Sequence, residues 1–283
     1  VVVRVAQSMR PRETNEKYVA NLVGELRASE HVSKAVLLAM DGVYDSGGRR
    51  DDSDTHFVVS NDYVLATARA HPELLPATSI NPQRRDAVDE LHRCADAGAV
   101  LVKVLPNSQR FDPADKRYTP FYRALAERRL PLLSHVGFEM ALIGVDQSVG
   151  EPGRVRVPLD EGVTVIAAHE CSFGLVFNQR YVSELDELVA RYPNLYTDVS
   201  ATTLPHRMSI LWRLRREPRI QERLIFGADY PLSVFHCACW GRVSFASLRA
   251  LMRTKNRFDR QVRVCEMLGL RPRSVGELLP VRA

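Results

Sequence analysis

The sequence predicts an α/β fold organised as a (β/α)8 TIM barrel, and three observations carry that prediction. Seven short runs rich in Val, Ile, Leu and Ala alternate with amphipathic stretches long enough to be helices, as parallel βα units require. The runs recur at roughly 30-residue spacing, and a chain of 283 residues accommodates the ~250 of an ordinary barrel. The runs are also apolar almost throughout instead of alternating, which is the pattern of strands covered on both faces. The competing architecture is an open doubly wound sheet. No G-x-G-x-x-G turn follows any strand, which argues against it as a dinucleotide-binding fold.

Along the chain, "VVVRVA" (1–6) is β-branched enough to supply a first strand. Because seven other strands are one short of closure and the chain starts on Val1, the alternative expectation is a first strand lying upstream. "VSKAVLLAM" (32–40) leads into "DGVYDSGGRRDDSDTHF" (41–57), polar and Gly-rich, expected to cross the barrel mouth. Asn61 and Asp62 are expected caps of a helix that ends before Pro72. "LLPATSIN" (74–81) is followed by a helix whose face carries Ala87, Val88, Leu91, Cys94 and Ala95 and which stops at Gly98. "AVLVKVLP" (99–106), "LPLLSHVG" (130–137) and "VTVIAAHE" (163–170) come next. Val182, Leu185, Leu188 and Val189 line a further helix ahead of Pro193, and "NLYTDVSA" (194–201) and "RLIFGADYP" (223–231) complete the seven. Low-complexity tracts and linkers are absent, so residues 1–283 read as one domain.

Composition narrows the function classes. Hydrophobic residues make up 45% and charged residues 26% of the chain, and no apolar stretch approaches the roughly 20 residues of a membrane-spanning helix. The net charge of +5 comes from arginines interleaved with acids, since Lys17, Lys34, Lys103, Lys116 and Lys255 are the only lysines. A nucleic-acid footprint would need a basic stripe. Cys94, Cys171, Cys237, Cys239 and Cys265 are odd in number and scattered, and no signal peptide is visible, so a reducing, cytoplasmic setting is expected.

In a barrel, chemistry gathers where the strands end. Here the runs end at His135, His169, Asp198 and Asp229, with Lys103 inside a fifth. Two imidazoles and a carboxylate from separate strands suit Zn²⁺ or a similar divalent ion, which activates water while a neighbouring carboxylate takes the proton. Glu139, four residues after His135, joins Lys103 and Asp198 as a supporting or substrate-contacting candidate. "FHCACW" (235–240) places His236, Cys237 and Cys239 together, but a lone C-x-C without a second pair is a weak zinc signal, and the segment reads instead as pocket lining. His31, His56, His71 and His92 read as surface residues.

The ordered set "LPLLSHVGFE", "VTVIAAHE", "NLYTDVSATT" and "RLIFGADYP" resembles the amidohydrolase superfamily, specifically the amidohydrolase-related group of barrel metal-dependent hydrolases that also contains carboxymuconate-semialdehyde-type decarboxylases. The resemblance runs from about Val32 to Gly269 and rests on the order of motifs. It implies that His135 is a metal ligand, that His169 binds a second metal or contacts substrate, and that Asp229 ligates metal and shuttles the proton. Lys103 falls where some members carry a metal-bridging carboxylated lysine; one divalent ion, zinc by donor type, is nevertheless expected. The family's first strand ends in a His-x-His pair that supplies two ligands, and no H-x-H occurs in the sequence. The pair is expected upstream of Val1; the alternative is that this protein has lost it and binds metal poorly or not at all.

The expected activity is a metal-dependent hydrolase that turns an activated water on an ester, lactone or amide of a small carboxylic acid. His135 and Asp229 would hold the metal, Asp229 would act as general base, and His169 would polarise the carbonyl. The same scaffold also supports a nonoxidative decarboxylase, a lyase, since one fold hosts several chemistries. A noncatalytic ligand-binding barrel is the third reading, supported by the missing His-x-His. The expected partners are a small-molecule substrate and a second copy in a homodimer, with no nucleic acid and no membrane.

Overall fold

The computed structural model describes residues 14–139, 142–171 and 181–280; the expected strand "VVVRVA" lies outside them. Helix α1 (Thr14–Arg27) precedes β1 (Ala35–Leu38), α2 (Asn61–Ala70), β2 (Leu74–Ser79), α3 (Ala87–Asp96), β3 (Leu101–Val104), the short α4 (Pro106–Gln109), α5 (Thr119–Glu127) and β4 (Leu132–His135). There follow α6 (Arg156–Asp160), β5 (Val165–Ala168), α7 (Val182–Arg191), β6 (Leu195–Asp198), α8 (Ser209–Leu214), α9 (Pro218–Gln221), β7 (Leu224–Ile225), α10 (Phe245–Arg253) and α11 (Arg257–Met267). Each of the seven apolar runs contains one of these strands.

The seven strands form one parallel sheet in sequential order, β1 to β7. Alternation along each strand separates two faces. Leu37 packs with Val19, Leu22 and Leu26 of α1, and Val102, Leu132 and Val165 join the helix-covered main core with Leu91, Leu185 and Leu188. Burying each of these leucines completely is worth about 1.5–3 kcal/mol. On the opposite face, Val36, Leu75, Leu101 and Leu133 pack around Ala77 with Val275 and Leu279 from the C-terminal segment. Lys103, His135 and Asp198 continue that second face toward the strands' C-terminal ends, because each lies two residues beyond an inward-facing neighbour. The register sets His135 beside Ala168 and Asp198 beside Ile225.

Two details depart from the sequence reading. The cap of α2 is Ser60, whose hydroxyl accepts from the Tyr63 amide at 3.2 Å. Asn61, expected as the cap, is spent on tertiary contacts: its amide oxygen accepts from Ser79 N at 2.8 Å and its Nδ2 donates to Glu90 at 2.7 Å. Strand β7 is only two residues long, so Asp229 stands four residues beyond it rather than at its end. The β7 edge facing away from β6 is hydrogen-bonded to Arg273, whose N–H donates to Leu224 O and whose carbonyl accepts from Phe226 N, both at 2.8 Å.

The segment after β1 crosses toward the loop after β2. It is pinned by antiparallel bridges Met40 to Val59 and Tyr44 to Arg50. Its anchor is the buried Asp41, which accepts from Gly42 N at 2.8 Å, Tyr44 Oη at 3.0 Å and Asn81 N at 2.9 Å. Among the described residues no helix is long and apolar enough to cross a membrane.

Candidate active site at the strand ends

His135 closes β4 in ordinary strand geometry and is only 3% exposed. Both of its ring nitrogens are buried without a hydrogen-bond partner among the described residues. Glu139 Oε2 lies 3.6 Å from Nδ1, an ion-pair distance that is too long for a hydrogen bond. Glu139 is itself held by Gln147, whose Oε1 accepts the Glu139 N–H at 2.9 Å and whose Nε2 donates back to the Glu139 carbonyl at 3.1 Å. The loop returns to the strand through Gly137 and Gly150: Gly137 N donates to Gly150 O at 2.7 Å. A Cβ on Gly150 would stand 2.1 Å from Gly137 O, so this approach admits no side chain.

His169 is presented differently. After β5 the chain makes three consecutive left-handed residues, His169 (φ 62), Glu170 (φ 52) and Cys171 (φ 50). Such a turn costs roughly 1–2 kcal/mol per residue for L-amino acids and must be held from outside. Asp198, at the end of β6, accepts the His169 N–H at 2.9 Å, the Ser200 N–H at 3.0 Å and the Ser200 hydroxyl. With its proton on Asp198, Ser200 Oγ is an acceptor for His169 Nδ1 at 2.8 Å, and the Ser200 carbonyl lies 3.1 Å from the same nitrogen. A carbonyl can only accept, so Nδ1 is assigned the proton and Nε2 carries the lone pair. Nε2 makes no hydrogen bond with a described residue. The two imidazoles meet edge to face, with ring centroids 5.2 Å apart.

Charge around the pair is unusually unpaired. The side chains of Lys103, on β3, and Arg207, in the loop before α8, make no hydrogen bond or ion pair with a described residue, and Arg207 Nε is buried. Burial pulls the Lys103 ammonium below its usual value, partly offset by Asp198, Asp229 and Glu139. Burial likewise lowers Arg207, against the opposing pull of Asp229, Glu139 and Asp198. Burial, with His169, Lys103 and Arg207 adding, holds His135 well below the normal histidine range. His169 is also lowered by burial, with Asp229 and Asp198 pulling the other way. Both rings are therefore neutral at pH 7, the state that ligates metal or accepts a proton.

The structure thus brings His135, His169, Asp198, Glu139 and Lys103 to one end of the sheet. Asp229 lies at the same end in a left-handed conformation (φ 50), with its side chain exposed to solvent. Arg207, Ser200, Glu170 and Gln147 were missed by the sequence reading. Only Ser200 carries a local signal, as a hydroxyl two residues past a strand-end carboxylate. The "FHCACW" segment forms a 3₁₀ turn, His236–Cys239, in which burial pushes the Cys239 thiol up to about 11; it holds no metal-type cluster among the described residues.

The amidohydrolase family profile matches residues 29–238, nearly three quarters of the chain. The chain belongs to the amidohydrolase family. No curated protein sequence matches it significantly. Among solved structures, an uncharacterised TIM-barrel protein of Bordetella bronchiseptica is similar at a TM-score of 0.60 and 19% identity, over 91% of this chain and 86% of that one. A candidate 2-pyrone-4,6-dicarboxylic acid hydrolase of Pseudomonas putida follows at a TM-score of 0.53 and 18% identity, covering 88% and 86%. A counterpart of the same assigned activity from Acinetobacter baumannii, with citric acid bound, has a TM-score of 0.53 and 12% identity over 89% of both chains. These likenesses give this amidohydrolase a TIM-barrel-like fold.

Amidohydrolase superfamily members commonly use a divalent metal. The partnerless nitrogens of His135 and the lone pair assigned to His169 Nε2 fit such an ion as donors. A complete set is not assembled among the described residues, where no group of three or more His, Cys, Asp or Glu side chains is arranged to hold a metal.

Proposed function

We propose that this amidohydrolase is a one-domain, metal-dependent (β/α)8 hydrolase that opens an ester, lactone or amide of a small organic acid bearing a free carboxylate. One observation carries the substrate class. Arg207 and Lys103 are basic side chains beside the paired imidazoles, with no carboxylate of a described residue within ion-pair distance. A half-buried guanidinium whose Nε is shut off from water without a partner is costly unless a ligand completes it, and a carboxylate matches its fork. The hydrolase candidates similar in fold are assigned a dicarboxylic acid as substrate, which is consistent with this reading.

His135 and His169 would hold the divalent ion, with Asp229 on the solvent side; when bound, the ion supplies the Lewis acidity that activates water. The remaining work falls to the chain itself. The assigned tautomer makes His169 a ligand rather than an oxyanion donor, because its only ring proton is committed to Ser200. Asp229, exposed at the mouth, takes the proton from the attacking water. Lys103 and Arg207 supply the positive charge that receives the carboxylate and the developing oxyanion.

The test is steady-state hydrolysis of 2-pyrone-4,6-dicarboxylate and related lactones with and without a carboxylate, in ¹⁸O-labelled water with added Zn²⁺. Label should enter the product, and Arg207→Ala should raise KM for carboxylate substrates about 10- to 100-fold. Equal turnover of carboxylate-free lactones would overturn the substrate class, and release of CO₂ without label incorporation would replace the hydrolase with a lyase.

A further inference from the structure

We infer that the buried ion pair Glu170–Arg213 is a positioning tie that sets His169 against Arg207, and so sets the metal side of the pocket against its carboxylate side. The inference rests on the function proposed above. Glu170 is 0% exposed and follows His169 directly. Its Oε1 accepts from Arg213 Nη2 at 3.2 Å. The same guanidinium grips Asp186 of α7 with Nη1 at 2.8 Å and Nη2 at 2.9 Å.

The geometry explains why a carboxylate is buried there. Glu170 is the middle residue of the left-handed turn, and nothing in its local sequence favours that conformation. Asp198 restrains the turn through the His169 amide, while Arg213 restrains it from the other side through the Glu170 side chain. Arg213 lies on α8, six residues after Arg207. That helix is seated firmly: Ile210, Leu211 and Leu214 are fully buried, and Trp212 Nε1 donates to Ala238 O at 2.7 Å. The path from His169 to Glu170, Arg213, α8 and Arg207 is therefore a short brace, fixed to α7 by Asp186. Stability alone does not account for it, since a buried ion pair is commonly matched or exceeded by an apolar pair of similar size.

The experiment compares wild type with Arg213→Met and with the double variant Glu170→Leu/Arg213→Met, which removes both charges together. The double variant should fold with a melting temperature close to wild type. Its ¹⁵N-labelled His169 should lose the Nδ1 signature of a ring bonded to Ser200. Zn²⁺ titration into the purified protein should show about 10-fold weaker binding, and KM for 2-pyrone-4,6-dicarboxylate should rise while kcat changes little. Arg213→Lys, which keeps the charge but not the fork, should recover the His169 signature in part. A folded double variant with wild-type His169 resonances overturns the tie. If the resonances move but His169→Ala leaves Zn²⁺ binding intact, the tie stands and the metal reading fails instead.

Discussion

The two histidines of the site stand at the ends of adjacent strands and are built in opposite ways. His135 ends a regular strand, costs nothing in backbone strain, and is left with both nitrogens buried and unpartnered. His169 sits in a strained left-handed turn, but its amide and Nδ1 are tied into the Asp198 and Ser200 network. The first residue spends stability on its side chain and the second on its backbone. The contrast teaches that a polar group can be readied for a ligand by withholding partners or by fixing which atom remains available, and this pocket uses both devices.

The largest test of that contrast is Asp198→Ala. It removes the acceptor of three hydrogen bonds that hold the His169 turn and should destabilise the fold by about 3 kcal/mol in urea unfolding; a loss under about 1 kcal/mol would mean that the turn holds itself. The histidines should then respond with opposite signs. His169→Leu breaks the Ser200 bonds and should cost about 2 kcal/mol, whereas His135→Leu removes two orphaned nitrogens and should gain about 1 kcal/mol. Equal signs would erase the distinction between the two sites.

The smallest effect is a pH profile. Both histidines are depressed in the folded state, so the unfolded chain binds their protons first, and stability falls as pH drops below the ordinary histidine value of 6.5. Glu170 behaves oppositely. Burial raises it from 4.5 to about 7, so its contribution is complete below pH 4.5 and is lost as pH rises through 7. The two effects oppose each other between pH 4.5 and 6.5, and above 6.5 only the Glu170 loss remains, as an alkaline limb; Glu170→Gln should flatten that limb and His135→Leu should shrink the acidic one. An alkaline limb unchanged in Glu170→Gln would remove Glu170 from the account.

Much of this was legible in the sequence. Apolar runs located all seven strands, because a strand covered on both faces must be apolar along its length, and the polar residue that interrupts each run marked the pocket end. His135, His169 and Asp198 were found for that reason. Asp229 was found as a residue, but its place past a two-residue strand was not, since "RLIFGADYP" is apolar well beyond the last ladder bond. Arg207 and Glu170 stayed hidden because their significance is burial: one of many arginines and one of many glutamates become distinctive only when packing removes their solvent. The left-handed turn carries no glycine to announce it.

The contact between Gly137 and Gly150 has a consequence for reading relatives of this chain. With only 2.1 Å available to a methyl group at position 150, the loop after β4 cannot follow this route in any homologue that carries a side chain there. Residue 150 is thus a one-sided classifier: any residue other than glycine predicts a rerouted loop and a pocket with a different wall.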